Sequence, residues 1–121
     1  YKVTGVQTCA LPISIPVGGH INIGTGLSVQ VPSGWSYDLR GRSGLNKKGI
    51  LCSLGLVDSW YNGEIRAVIS NLSTEDYTFK KGDRICQMKV NPVFDFRWEK
   101  VEKFTNKKNT RGESGWGSSG R

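Results

Sequence analysis

Short apolar stretches alternate with turn residues along most of this chain, and no stretch keeps a helical period long enough to bury one face of a helix. Pro16-Val17-Gly18-Gly19 reads as a turn. Leu27-Ser28-Val29-Gln30-Val31 alternates like a half-buried strand, which Pro32-Ser33-Gly34 ends. Trp35 to Leu39 offers a further strand, and Ile50 to Val57 is mostly apolar. Asn62-Gly63 is a strong hairpin signal, so the pattern predicts a type I′ turn joining that apolar run to Glu64 to Ser70. Asp58 and Tyr61 then fall on or beside a hairpin tip. A turn at Ser73 to Asp76, the stretch Tyr77-Thr78-Phe79, a turn at Lys80 to Asp83 and the alternating run Arg84 to Val90 complete the pattern, and Asn91-Pro92 stops the last strand. Strands at this spacing predict an all-β fold of the sandwich or barrel kind.

A length of 121 residues suits one domain. A domain this small buries only about two-thirds of the surface its unfolded chain exposes, so association with copies of itself is the default expectation for a shallow β-rich fold. The 17 Lys and Arg against 10 Asp and Glu leave a net charge of +7, which suits a polyanionic ligand without choosing between a nucleotide and a nucleic acid. Cys9, Cys52 and Cys86 are far apart and form no CxxC pair, so free thiols are expected rather than a disulfide framework or a zinc site. With no apolar run of membrane-spanning length, a cytoplasmic protein with no membrane partner is expected.

The two ends read differently from the middle. Residues 1–14, YKVTGVQTCALPIS, resemble translated adaptor sequence and are expected to stand outside a β domain over residues 15–98, with an edge strand over Lys2 to Val6 as the alternative. Residues 99–121 carry six Lys or Arg, three Glu and four Gly with almost no core-forming side chain, and predict a flexible, phosphate-friendly C-terminal arm.

Few groups are available for chemistry. The lone His20 gives no basis for a Ser-His or Cys-His pair and reads as a surface residue. The glycines from Gly112 to Gly117 lack the Lys and the helix of a phosphate-binding loop. What remains is Asp58 with an aromatic three residues on, and two Arg-Gly segments, Gly41-Arg42-Ser43-Gly44 and Arg111-Gly112. A carboxylate that takes a proton from water, with guanidinium and backbone N–H groups offsetting phosphate charge, suggests metal-assisted hydrolysis.

The order of these pieces is more specific than any one of them. GRSGLNKKGI, GLVDSWYNGEI, KKGDRICQM and RGESGWGSSG follow one another as the second to fifth motifs of the trimeric dUTPases do, and IPVGGHINIGTGLSVQVPSGW resembles the family's strand pair upstream of them. The resemblance covers Ile15 to Arg121. It implies a distorted β-barrel of jelly-roll type, assembling as a homotrimer with shared active sites. It further implies Mg2+-dependent hydrolysis of dUTP to dUMP and pyrophosphate, which limits uracil incorporation into DNA and supplies dUMP for thymidylate synthesis. By the same resemblance Asp58 is the general base, Tyr61 lies under the deoxyribose, and backbone groups around Leu56 and Val57 read the uracil edge. Arg42, Ser43, Gly44 and Gln87 contact the phosphates. Arg111 reaches them from the arm, Trp116 stacks on the base in place of the usual Phe, and Gly117, Ser118 and Ser119 supply compact donors.

Some positions depart from the family pattern. Trp60 stands where relatives carry Asp or a small residue, and the segment before Gly55 is short. The first motif's Asp is missing, since Asp38 lies directly before GRSG, so Mg2+ is expected to be held through triphosphate and water rather than by a protein ligand. A dCTP deaminase of the same fold is the nearest alternative, but the position that needs Glu holds Val68. A phage-type regulatory or nucleic-acid-associated homologue is the alternative of a different class. No nucleic-acid partner is expected.

Overall fold

The computed structural model describes residues 2–7, 12–53 and 55–105. Nine strands and one short helix follow in the order β1 Lys2–Gln7, β2 Ile13–Ile15, β3 His20–Ser28, β4 Trp35–Arg40, α1 Ser43–Lys47, β5 Ile50–Cys52, β6 Gly55–Asp58, β7 Glu64–Asn71, β8 Tyr77–Phe79 and β9 Arg84–Pro92. They form three antiparallel sheets in the orders β1-β9-β4-β6, β3-β7-β5 and β2-β8. The all-β expectation holds.

Alternation explains which faces close on one another. On β7, Ile65, Ala67, Ile69 and Asn71 point inward while Arg66 and Val68 point out. Ile15, Ile23, Tyr37, Ile50, Ile69, Phe79, Ile85 and Cys86 are essentially sealed from solvent and join the three sheets in one core. On β9 the alternation breaks, because Ile85 and Cys86 are both buried. Ile85 is the extra residue between the pairs Val6↔Cys86 and Gln7↔Arg84, a bulge that lets two neighbours face the same way.

Asn71 closes the junction between β7 and its neighbours. Fully buried, it donates from Nδ2 to the carbonyls of Ile15 and Glu75, both at 2.8 Å, and accepts at Oδ1 from the Ser73 hydroxyl at 2.6 Å. A buried amide is tolerable only when so fully satisfied. The turns at 16–19, 32–34 and 80–83 fall where the sequence places them. Gly19 N–H meets the Pro16 carbonyl, Trp35 N–H the Pro32 carbonyl and Asp83 N–H the Lys80 carbonyl.

Several expectations need correcting. The strand expected over 27–31 is the end of a longer one, since β3 starts at His20 and stops at Ser28. The run 50–57 is not one strand. β5 pairs with β7, whereas β6 pairs with β4 in another sheet, so the chain crosses between sheets after Cys52. No hairpin therefore joins β6 to β7 at Asn62-Gly63, and Gly63 lacks the positive φ that a type I′ turn requires. A helical turn appears where none was expected. In α1 the Arg42 carbonyl accepts from the N–H groups of Leu45 and Asn46, and Gly49, at φ 81°, ends it against the backbone of Ser73. Two strands also fall within residues 1–14, β1 on the edge beside β9 and most of β2 on β8. After β9 an exposed segment follows over residues 93–105, anchored by the Val93 N–H to the Gly34 carbonyl at 2.7 Å.

Candidate functional site

The residues singled out in the sequence are gathered into two clusters that share no residue. In the first, β6 carries Leu56, Val57 and Asp58 antiparallel to β4, with Tyr37 opposite Val57 and Ser36 opposite Asp58. The chain then turns, the Tyr61 N–H donating to the Asp58 carbonyl at 3.2 Å. Leu56, Val57, Asp58, Trp60 and Tyr61 line one side of a cavity of about 460 Å3, and Tyr37, Leu39, Ile65, Asn22, Glu64 and Arg66 line the rest. The Asp58 carboxylate is exposed at its rim, and Leu56 and Tyr61 are 70% and 43% exposed.

Tyr61 is held by its hydroxyl, which donates to the Glu64 carbonyl at 2.9 Å. Its ring consequently lies over Gly63, where a Cβ would come within 2.5 Å of the Tyr61 oxygen and 2.6 Å of Cζ. Gly63 is thus required for the close approach of an aromatic ring and not for turn dihedrals. On the far wall, Arg66 donates to the Asn22 side chain and carbonyl and pairs with Glu64 at 2.8 Å. Glu64 also accepts from the Gly26 N–H at 2.9 Å, and that bond, ahead of Arg66, holds its carboxyl below the usual carboxylate range.

The second cluster surrounds α1. Arg42, Ser43 and Gly44 lie at the helix start, and with Lys48, Arg84 and Gln87 they line an open, polar cavity of about 690 Å3. The Gln87 amide donates to the Gly41 carbonyl at 2.7 Å and the Arg42 guanidinium donates to the Arg84 carbonyl at 3.3 Å, so β9 fixes the loop that carries the basic residues. Nothing lies within 4 Å of a Cβ placed on Gly44, which leaves its backbone open to close approach. Three cationic side chains against one carboxylate, that of Asp83, give this polar cavity an excess of positive charge that suits an anion.

Asp83, read as a turn residue, accepts from the Lys80 N–H at 2.8 Å, and Asp38 pairs with Arg40 at 3.1 Å. His20 is exposed at the start of β3, and Cys52 and Cys86 are free thiols. Arg111, Trp116, Gly117, Ser118 and Ser119 lie outside the described residues. Among the described residues no three His, Cys, Asp or Glu side chains are grouped to hold a metal ion, and no helix is long and apolar enough to cross a membrane. Sequence reasoning missed Tyr37 and Asn22, because only the strand register brings them beside Asp58. The one available signal was the alternation of Trp35, Tyr37 and Leu39.

Comparison with known proteins identifies relatives of the whole chain. A family model described as dUTPase matches residues 8–120. A deoxyuridine 5′-triphosphate nucleotidohydrolase of Anaplasma marginale is 42% identical over 106 residues, covering 85% of this chain and 71% of the relative. Proteins of the same name from Wolbachia pipientis of Culex pipiens and from Rhizobium leguminosarum are 42% and 39% identical, covering 67% and 72% of their own lengths. Among solved structures, a Staphylococcus bacteriophage 80alpha dUTPase with dUpNHpp superposes with a TM-score of 0.85 at 23% identity, covering 97% of this chain and 85% of that one. A dUTPase variant of phage phi11 of S. aureus, described for its coordination of a structural Mg(II) ion, superposes at 0.75 and 19% identity, covering 84% of each chain.

Proposed function

This chain belongs to the dUTPase family, and from that membership we propose that it hydrolyses dUTP to dUMP and pyrophosphate, with Asp58 taking the proton of the attacking water. The observation that carries this reading is the Asp58 carboxylate at the rim of a pocket walled by Tyr61 and the β6 backbone. The water oxygen bonds to the α-phosphorus, the bond from that phosphorus to the α,β-bridging oxygen breaks, and pyrophosphate leaves with the electron pair. One water proton passes to Asp58. The placement of the Asp58 carboxylate beside the triphosphate supplies most of its advantage.

The Tyr61 ring closes the pocket under the deoxyribose, and the backbone of Leu56 and Val57 presents hydrogen-bonding groups to the uracil edge. Arg42, Ser43 and Gly44 hold the phosphates, and Gln87 keeps their loop in place through Gly41. Mg2+ carried by the triphosphate and its waters fits a site whose carboxylates are dispersed, and it would offset phosphate charge there. Because the nucleoside and phosphate clusters are separate in one chain, the complete site is formed between chains of a homotrimer. The segment after β9 supports association, with Phe94, Phe96 and Trp98 all at least 71% exposed. Within that assembly Arg111, Trp116, Gly117, Ser118 and Ser119 close over the substrate, and the cytoplasm is where the enzyme limits uracil in DNA and supplies dUMP.

Pyrophosphate release in the presence of Mg2+ is expected from dUTP and to be slight from dTTP or UTP. Equal turnover of all three would overturn the base and sugar assignments. Gly63→Ala is expected to lower kcat/KM by about 10- to 100-fold with little change in melting temperature. The added methyl displaces only the far end of Tyr61, which is cheap for the fold but moves the ring that closes the pocket. Unchanged kcat/KM would show that the Tyr61 position does not matter.

A further inference from the structure

Tyr37 carries the only buried side-chain nitrogen or oxygen without a protein partner among the described residues, its phenolic oxygen. The side chain is 0% exposed, yet it forms part of the wall of the Asp58 pocket, opposite Val57 across the β4–β6 pair. Several polar side chains of the pocket wall are engaged with other partners. The Tyr61 hydroxyl donates to the Glu64 carbonyl, and Arg66 is engaged by Asn22 and Glu64. The neighbouring wall residues Leu39 and Ile65 offer no side-chain partner.

An unpaired hydroxyl in such a place is unfavourable for folding, and a phenylalanine would fill the same space without that penalty. The hydroxyl therefore has its use in what enters the pocket. Burial, with Tyr61 as a second influence, pushes its pKa up, so it stays protonated and able to donate. We propose that the Tyr37 hydroxyl donates a hydrogen bond to an oxygen of the substrate's nucleoside half, making Tyr37 a specificity-determining contact set behind the pocket wall. This rests on the dUTP reading of the Asp58 pocket. The contact forms as the nucleoside enters past the exposed side chain of Leu56.

Tyr37→Phe in the full chain tests it, because the substitution removes one oxygen and keeps the packing. The variant is expected to melt no lower than the parent. KM for dUTP should rise about three- to tenfold with kcat within about twofold, the loss of one hydrogen bond made to the ground state. Inhibition by dUMP should weaken by the same factor, while inhibition by pyrophosphate stays unchanged. Unaltered KM and dUMP inhibition would overturn the contact. Equal weakening of dUMP and pyrophosphate would overturn it too, as the mark of a general structural effect. A parent enzyme that does not turn over dUTP is a separate result, which sinks the functional reading and takes this inference with it.

Discussion

Asp58→Asn lowers kcat for dUTP by a factor of about 10² to 10⁴ and leaves KM nearly unchanged. The amide has the carboxylate's shape but cannot accept the proton of the attacking water. Nothing else that Asp58 does depends on its side chain. Its place on β6 comes from backbone pairing with Ser36, and the turn to Tyr61 closes on its carbonyl. The side chain is exposed, so the substitution strands no buried group. Substrate affinity should survive, since Tyr61, Val57 and the phosphate cluster keep their positions. Steady-state kinetics together with binding of a non-hydrolysable dUTP analogue separate the two effects. A variant that keeps its kcat would remove Asp58 from the chemistry, and one that loses analogue binding would make it a binding residue instead.

What the sequence made legible divides along the range of the interactions involved. Turns at Pro16–Gly19 and Lys80–Asp83 are set by residues within four positions of one another, and they form where composition places them. The inward set of β7 follows from alternation alone. Partner choice is different. The apolar run from Ile50 gives no local sign that Cys52 pairs with Ile69 while Gly55 pairs with Leu39 in another sheet, because the distinction lies in strands distant in sequence. Asn62-Gly63 misled for a related reason. A dipeptide signal reports dihedral preference, whereas the glycine there is demanded by the Tyr61 ring lying over it.

The site divides in the same manner. Asp58, Tyr61 and the Arg42-Ser43-Gly44 segment stand out through the order of short motifs. Tyr37 does not, since its interest depends on a missing hydrogen bond, which no sequence pattern can display. The separation of Asp58 and Tyr61 from Arg42, Ser43 and Gly44 into two cavities was equally hidden, because a linear list of motifs carries no information on which of them meet within one chain.

That separation leads to an expectation with an all-or-none character. Arg42→Ala alone should reduce kcat/KM by about 10²-fold or more by removing a charge-assisted contact to the phosphates. Among the described residues its side chain makes one hydrogen bond, an exposed one to the Arg84 carbonyl, so the fold should tolerate the loss. Homotrimers of Arg42→Ala and of Asp58→Asn are then both nearly inactive. If each site takes Asp58 from one chain and Arg42 from another, co-assembly of the two variants recreates sites holding both intact residues. In a trimer that holds both variants, whichever is in excess, about one site in three is complete. The rate recovered from oligomers that carry both tags should therefore approach about a third of the parent's and far exceed the sum of the two variants. Co-expression with two different affinity tags, purification through both and a pyrophosphate assay make the measurement. Mixed oligomers that stay as inactive as their parents would place Asp58 and Arg42 in the service of one chain's own site. The two cavities would then have to be joined by a rearrangement within the subunit.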